Sequence, residues 1–246
     1  MIRPNLPRLP SAGAIDADGH ILEAPDLWEQ YLEPKYRSRA IRIKKDPQGL
    51  EYLEIDGQAS KMARKGMPST LGIMDANGGF KIEREPSGSG YLDNASFGSM
   101  DPEERIERLD IENIERVFLY PTLGLLWEPE CEDLDLAMAY ARAYNRWIVD
   151  FCSNSNGRLL PIAHIPFGIP ELAEQELRRA AADGCVGFYS APFIWSRRGH
   201  GHPEHHGIFA IAEELDIPFG IHPSFEPHWA ATTRFGRMTG KDTAFF

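Results

Sequence analysis

Long apolar runs are missing from this 246-residue chain, and no stretch approaches the roughly 20 residues that a membrane-spanning helix needs. Positive charge is also scarce. Lys+Arg 26 stand against Asp+Glu 37, a formal net charge of -11. Such an acid excess excludes a nucleic-acid groove or an anionic membrane surface as a partner, because both want clustered Lys and Arg. Cysteine is rare. Cys131, Cys152 and Cys185 are widely spaced and odd in number, which leaves neither a disulfide framework nor a CxxC metal site. No G-x-G-x-x-G follows a strand and no P-loop occurs, so a nucleotide is not the obvious ligand. The nucleophile elbow G-x-S-x-G is absent too. Three prolines break the opening MIRPNLPRLPSAG, which is therefore not a secretory signal. What remains is ordinary globular composition, 42% hydrophobic and 26% charged. The expectation is a reduced, soluble, cytoplasmic protein with a small-molecule substrate and neither nucleic acid nor membrane as partner.

The first strong signal is Gly13-Ala-Ile-Asp-Ala-Asp-Gly-His20, a short strand ending in polar residues. The stretch 21–100 is irregular, with a hairpin expected inside it. Arg39-Ala-Ile-Arg-Ile-Lys-Lys45 and Leu50-Glu-Tyr-Leu-Glu-Ile55 alternate at period two around Asp46-Pro-Gln-Gly. A Gly/Ser-rich loop follows, at 77–79 and 87–90, long enough to be functional or mobile.

From Asp101 the chain turns regular. Asp101-Pro102-Glu103-Glu104 supplies an N-cap, a first-turn proline and first-turn acid. That helix carries Ile106, Leu109 and Ile114 and runs into the strand Val117-Phe-Leu-Tyr120. Ala137, Tyr140, Tyr144, Trp147 and Phe151 share one helical face, a stripe that reads as core rather than as a cofactor box. The strand Leu159-Leu-Pro-Ile-Ala-His-Ile165, a helix over 170–182 stopped by Asp183-Gly184, and the strand Cys185-Val-Gly-Phe-Tyr189 follow. A shorter helix with Ile208, Ile211, Ala212 and Leu215 inward leads to Ile217-Pro-Phe-Gly-Ile-His222.

Apolar strands alternating with amphipathic helices mean an α/β fold with a parallel sheet. Five strands are expected, near 13–19, 116–121, 159–165, 185–190 and 217–222. A (β/α)8 TIM-type barrel needs eight, in typically about 250 residues. With some eighty residues spent on the insertion after the first strand, about five of eight βα units fit. The reading is one partial barrel domain over 1–246 with the insertion at 21–100, cut off at Thr243-Ala-Phe-Phe246.

Asp18 and His20 stand two apart at the C-terminal end of a strand. Their side chains share a face with Cα atoms about 6.6 Å apart, near enough to converge on one ion. His222 ends the fifth strand, where a barrel opens its active-site mouth. A carboxylate and two imidazoles suit a divalent metal. On spacing alone the bland alternative stands beside it: Asp18 caps a turn and His222 is a satisfied buried histidine.

Ile15-Asp-Ala-Asp-Gly-His20 followed by Ile-Leu-Glu-Ala-Pro-Asp-Leu-Trp28 resembles the opening of the metal-dependent amidohydrolase-related barrels. The similarity is greatest to the branch containing aminocarboxymuconate-semialdehyde decarboxylase, whose members open I-D-x-H-x-H or carry Asp or Glu for the first histidine. Gly157-Arg-Leu-Leu-Pro161, the helix 171–179 and Leu215-Asp-Ile-Pro-Phe-Gly-Ile-His-Pro223 also fit. The resemblance implies metal ligation by Asp18, His20 and His222. It also implies an acid/base histidine on a sixth strand and an aspartate on an eighth, both past Phe246, so the catalytic residues are not assigned within this chain. One divalent ion, Zn or Mn, is implied; the hard oxygen of Asp18 shifts the balance toward manganese without excluding zinc. Relatives of this kind are often homodimers.

Other residues border the same mouth. His164, near the end of the third strand, either touches substrate or is a satisfied core or rim histidine. Glu23 is a weaker candidate, for a contact behind the ligands or with substrate, and His228 and Trp229, which follow the fifth strand, are candidates to border the mouth, His228 as a substrate contact. Gly199-His-Gly-His-Pro-Glu-His-His206 reads as a flexible surface loop before the fourth helix, not as the zinc-protease helix H-E-x-x-H. The resemblance points to a carboxy-lyase acting on a small aromatic or unsaturated carboxylic acid in the complete protein. Two alternatives remain: hydrolysis of an amide, ester or lactone at the same site, and a truncated, non-catalytic structural or partner-binding chain.

Overall fold

The computed structural model describes residues 13–72 and 90–233; the proline-broken start, the Gly/Ser-rich loop at 77–79 and 87–89, and the ending 243–246 lie outside them. Strands β1 (Ala14–His20), β2 (Arg42–Lys45), β3 (Glu51–Ile55), β4 (Gln58–Ala59), β5 (Ile114–Tyr120), β6 (Leu159–His164), β7 (Gly187–Ser190) and β8 (Phe219–Ile221) occur in chain order. The helices are α1 (Leu27–Tyr31), α2 (Pro102–Glu112), α3 (Leu134–Cys152), α4 (Pro170–Asp183), α5 (His206–Leu215) and α6 (His228–Thr233). Five strands form one parallel sheet in the order β1-β5-β6-β7-β8, and β2-β3-β4 form a small antiparallel sheet. Sequential order with a helix between parallel neighbours is the winding of a (β/α) barrel, here five strands of it among the described residues.

Local chemistry explains most boundaries. The Asp101 carboxylate accepts from the amides of Glu103 and Glu104, both at 2.9 Å, and starts α2. Asn113, left-handed at φ 58°, stops that helix. Ile114, expected as a helical core position, instead opens β5, because the αL residue before it redirects the backbone. In the β2–β3 turn, Asp46 Oδ1 accepts from the amides of Gln48 and Leu50 while Gly49 supplies φ +83°. The pairing runs from Arg42↔Glu54 to Lys45↔Glu51. The two-residue β4 has no counterpart in the sequence reading, since its turn, Asp56-Gly57, sits at positive φ inside a stretch with little periodicity.

Helix α3 buries Tyr140, Tyr144, Trp147 and Phe151 against the sheet, as its periodicity requires. Leu53 and Ile55 of the hairpin, with Ile21, Leu27 and Trp28, join that same core. A buried polar clamp ties three elements together. The Asn145 side chain accepts from the His164 amide (2.7 Å) and donates to the His164 carbonyl (3.1 Å) and to Glu176 Oε1 (2.7 Å). Glu176 is in turn paired with Arg179. The clamp fixes the C-terminal end of β6, the central strand of the five. No described helix is long and apolar enough to cross a membrane.

Candidate metal centre

Asp18 and His20 stand at the end of an irregular β1. The register against β5 slips between Asp16 and Gly19, and Asp16 Oδ1 accepts from the Asp18 amide at 3.1 Å. The bulge re-aims one side chain, a common use of such an insertion. Gly19 permits the close approach: a Cβ there would fall inside the Val117 Cγ2 methyl and 2.9 Å from Asp16 Oδ2. At the far edge, the His222 amide donates to Ser190 O (3.2 Å), continuing the β7–β8 pairing by one residue. The sheet curls enough that its two edge strands bring their side chains together over the C-terminal ends.

There Asp18, His20 and His222 each offer one donor atom, all within 4.8 Å of one another. His222 Nε2 lies 3.1 Å from Asp18 Oδ1, and His20 Nε2 lies 4.0 Å from the same oxygen. Both imidazoles are oriented from behind. His20 Nδ1 is 2.7 Å from Pro121 O, and His222 Nδ1 is 2.7 Å from Pro223 O. A carbonyl can only accept, so Nδ1 carries the proton in each ring and the Nε2 lone pair faces the shared point. Burial pulls His20 below its ordinary pKa, which favours the neutral form that ligates. Asp18 is 72% exposed while the His222 side chain is 11% exposed, so the site opens to solvent on the Asp18 side. Ligands bound at about 2.0–2.2 Å sit roughly 3–3.5 Å apart; His222 Nε2 and Asp18 Oδ1 already have that spacing at 3.1 Å, and His20 Nε2, at 4.0 Å from the same oxygen, lies just outside it.

The other expected site residues are placed differently. Glu23 is fully buried, and its carboxylate accepts from the amides of Thr122, Leu123 and Gly124 at 2.7–3.2 Å. It fastens the loop after β5 rather than facing the mouth. Burial raises it to about 7, against the opposing pull of those amides. His164 is buried, with Nε2 2.8 Å from Glu128 Oε2 and its ring stacked on Tyr189 at 4.5 Å. His228 is exposed at the start of α6, outside the three-donor cluster. The 199–206 segment is not wholly a surface loop: residues 203–205 form a 3-10 turn leading into α5, and His205 is completely buried. Its Nδ1 faces the carbonyls of Gly199 and His200. The three cysteines are buried free thiols, with Cys131 and Cys185 pushed up to about 12 by burial.

Three residues around the site escaped the sequence reading. Tyr120, the last residue of β5, and Tyr189, next to last in β7, lie beside His222 with ring centroids 5.0 and 5.9 Å from it. Strand-end position could have flagged both. Glu128 lies in a short turn with no periodic or spacing signal, so nothing in the sequence pairs it with His164.

A curled parallel sheet with carboxylate and imidazole donors gathered at the C-terminal strand ends is the arrangement of metal-dependent barrel enzymes. The amidohydrolase family profile matches residues 99–242, and the chain belongs to that family. Gamma-resorcylate decarboxylase of Rhizobium radiobacter is 30% identical over 127 residues, covering 48% of this chain and 38% of that one. An amidohydrolase structure from Mycobacterium avium subsp. paratuberculosis superposes with a TM-score of 0.71 at 20% identity, covering 94% of this chain and 64% of that one. The 5-carboxyvanillate decarboxylase of Novosphingobium aromaticivorans, solved with manganese and a nitrobenzoic acid, gives a TM-score of 0.56 at 20% identity, covering 98% and 60%. This chain therefore spans less than two thirds of the length of these relatives.

Proposed function

We infer that the complete protein is a metal-dependent decarboxylase of a small aromatic carboxylic acid, with Asp18, His20 and His222 as metal ligands. The observation that carries the site is the convergence of three donors with both Nδ1 atoms tied back to carbonyls. The similarity to gamma-resorcylate decarboxylase favours carbon dioxide release over hydrolysis. A divalent ion, when bound, supplies positive charge that holds substrate oxygens and offsets negative charge developing in the ring. The chain's own residues then act around it. Pro121 and Pro223 carbonyls hold the imidazoles in one tautomer, and Tyr120 and Tyr189 wall one side of His222. In the reaction the bond between ring carbon and carboxylate breaks, and its electron pair stays on the ring carbon. A proton takes the vacated position and carbon dioxide leaves. The proton donor and a further ligand are assigned by the family resemblance to a sixth and an eighth strand. On this reading residues 1–246 make one barrel domain with an insertion at 21–100.

The test is metal content followed by turnover. Protein loaded with Mn2+ or Zn2+ and desalted is expected to retain one ion per chain, and His222→Ala to retain none. Hydroxybenzoates should then release carbon dioxide while lactones and amides stay intact. Unchanged metal in His222→Ala would refute the ligand assignment, and metal-dependent turnover of lactones or amides alone would refute the decarboxylase.

A further inference from the structure

In the segments that follow the C-terminal ends of β7 and β8 lies a group of aromatic side chains that the metal site does not use. Phe193 and Trp195 come from the segment after β7, and Trp229 from the first turn of α6 after β8. The rings meet at right angles or tilted: Phe193–Trp195 at 5.9 Å and 87°, Phe193–Trp229 at 6.1 Å and 89°, Trp195–Trp229 at 6.1 Å and 56°. Phe193 is buried with Ala191 and Ala230 beneath it, while both tryptophans remain partly open. Arg197 places its guanidinium 4.8 Å from the Trp229 ring centroid. Its backbone is left-handed at φ 61°, held by its amide on Ile194 O at 2.8 Å.

A continuous path joins this group to the donors. Trp195 Nε1 donates to Glu128 O (3.3 Å), the Glu128 carboxylate meets His164, His164 stacks on Tyr189, and Tyr189 abuts His222. The position of Arg197 over Trp229 has a chemical consequence. With its Cζ over the indole at 4.8 Å, the guanidinium is held by the ring through its charge, and this contact uses none of its five N–H donors for a hydrogen bond to an oxygen. Among the described residues Arg197 makes no ion pair, whereas its neighbour Arg198 is paired with Glu204. A cation set beside two partly exposed indoles matches a planar ring that carries a carboxylate.

We propose that Trp195, Trp229 and Arg197 form a recognition subsite for an aromatic carboxylate on its way into the metal centre, the rings taking its aromatic face and Arg197 its anionic group. The subsite names the substrate-selecting residues of the decarboxylase reading and rests on that reading for its role in turnover, though not for binding itself.

Binding is measured with metal-free and metal-loaded full-length chain by quenching of tryptophan fluorescence, using 2-hydroxybenzoate and its neutral amide 2-hydroxybenzamide as probes. In both forms Arg197→Gln should weaken 2-hydroxybenzoate at least tenfold and leave the amide unchanged. Trp229→Leu should weaken both probes, and Arg197→Lys should recover only part of the loss, since an ammonium cannot bind bidentately. Circular dichroism and retained metal confirm that each variant is folded. An Arg197→Gln chain that binds acid and amide as the wild type does, or loses both equally, overturns the proposal. Carbon dioxide release with a KM indifferent to Arg197 would overturn the subsite and leave the decarboxylase standing. Arg197-dependent binding of the acid without carbon dioxide release would support the subsite while the decarboxylase reading fell.

Discussion

Glu23 shows how one side chain can be essential to a mouth without touching what enters it. Its two oxygens collect three successive amides, from Thr122, Leu123 and Gly124, at the turn directly after β5. Gly124 leaves no room for a side chain there, since a Cβ would crowd Pro121. The carbonyl of Pro121 in turn orients His20. Burial raises the Glu23 carboxyl from its ordinary range to about 7, so the fold favours the protonated form. The sign follows: its stabilising contribution is complete below pH about 4.5 and is lost as pH rises through about 7. The difference in Tm between wild type and Glu23→Gln should therefore shrink from pH 4.5 to pH 7.5, because glutamine does not titrate. A difference that is constant or grows with pH would show that the amides, not burial, set the charge state. Sequence position alone suggested a polar residue near the mouth, and only the packed loop shows that its lone pairs are already engaged.

Strand β1 is the element on which the site depends most. A regular strand would put Asp16, Asp18 and His20 together on one face. The register slip between Asp16 and Gly19 breaks that pattern and uses the Asp16 carboxylate to hold the Asp18 amide. Gly19 is then forced against β5, where Val117 is wholly buried and has nowhere to move. Gly19→Ala should cost about 2 kcal/mol of stability by overpacking. Urea denaturation measures it, and metal retention should fall in parallel because Asp18 and His20 flank the clash. A Gly19→Ala midpoint equal to that of wild type would mean that the two strands separate freely. The type and order of the elements were legible, since Asp101 caps α2, the α3 stripe has helical spacing, and period-two runs flank Asp46-Pro-Gln-Gly. The bulge was not legible, because an aspartate accepting a backbone amide two residues away leaves no mark on hydrophobic periodicity.

At the scale of the whole molecule, the sheet has two edges. Among the described residues β1 pairs only with β5 and β8 only with β7, and Ile15 (57% exposed) and Ile221 (53% exposed) sit on those edge strands. Unpaired edges with exposed β-branched residues invite pairing with another chain. The 246-residue chain by itself should therefore self-associate in static light scattering at micromolar concentration, and Ile15→Lys with Ile221→Lys should reduce the apparent mass. A monodisperse monomer would show that both edges are already covered. The sequence by itself determined the alternation of strands and helices, the barrel class and the residue types able to hold a metal, because these follow from short-range periodicity and from local donor chemistry. Tertiary structure alone decided that Asp18 and His222, 204 positions apart, stand 3.1 Å from each other. It alone decided that His164 is occupied by Glu128 and that Arg197 lies on Trp229. Those pairings depend on how far the sheet curls and on where the loops after β5, β7 and β8 cross, and such long-range geometry is set by the packing of the whole core, not by any local run of residues.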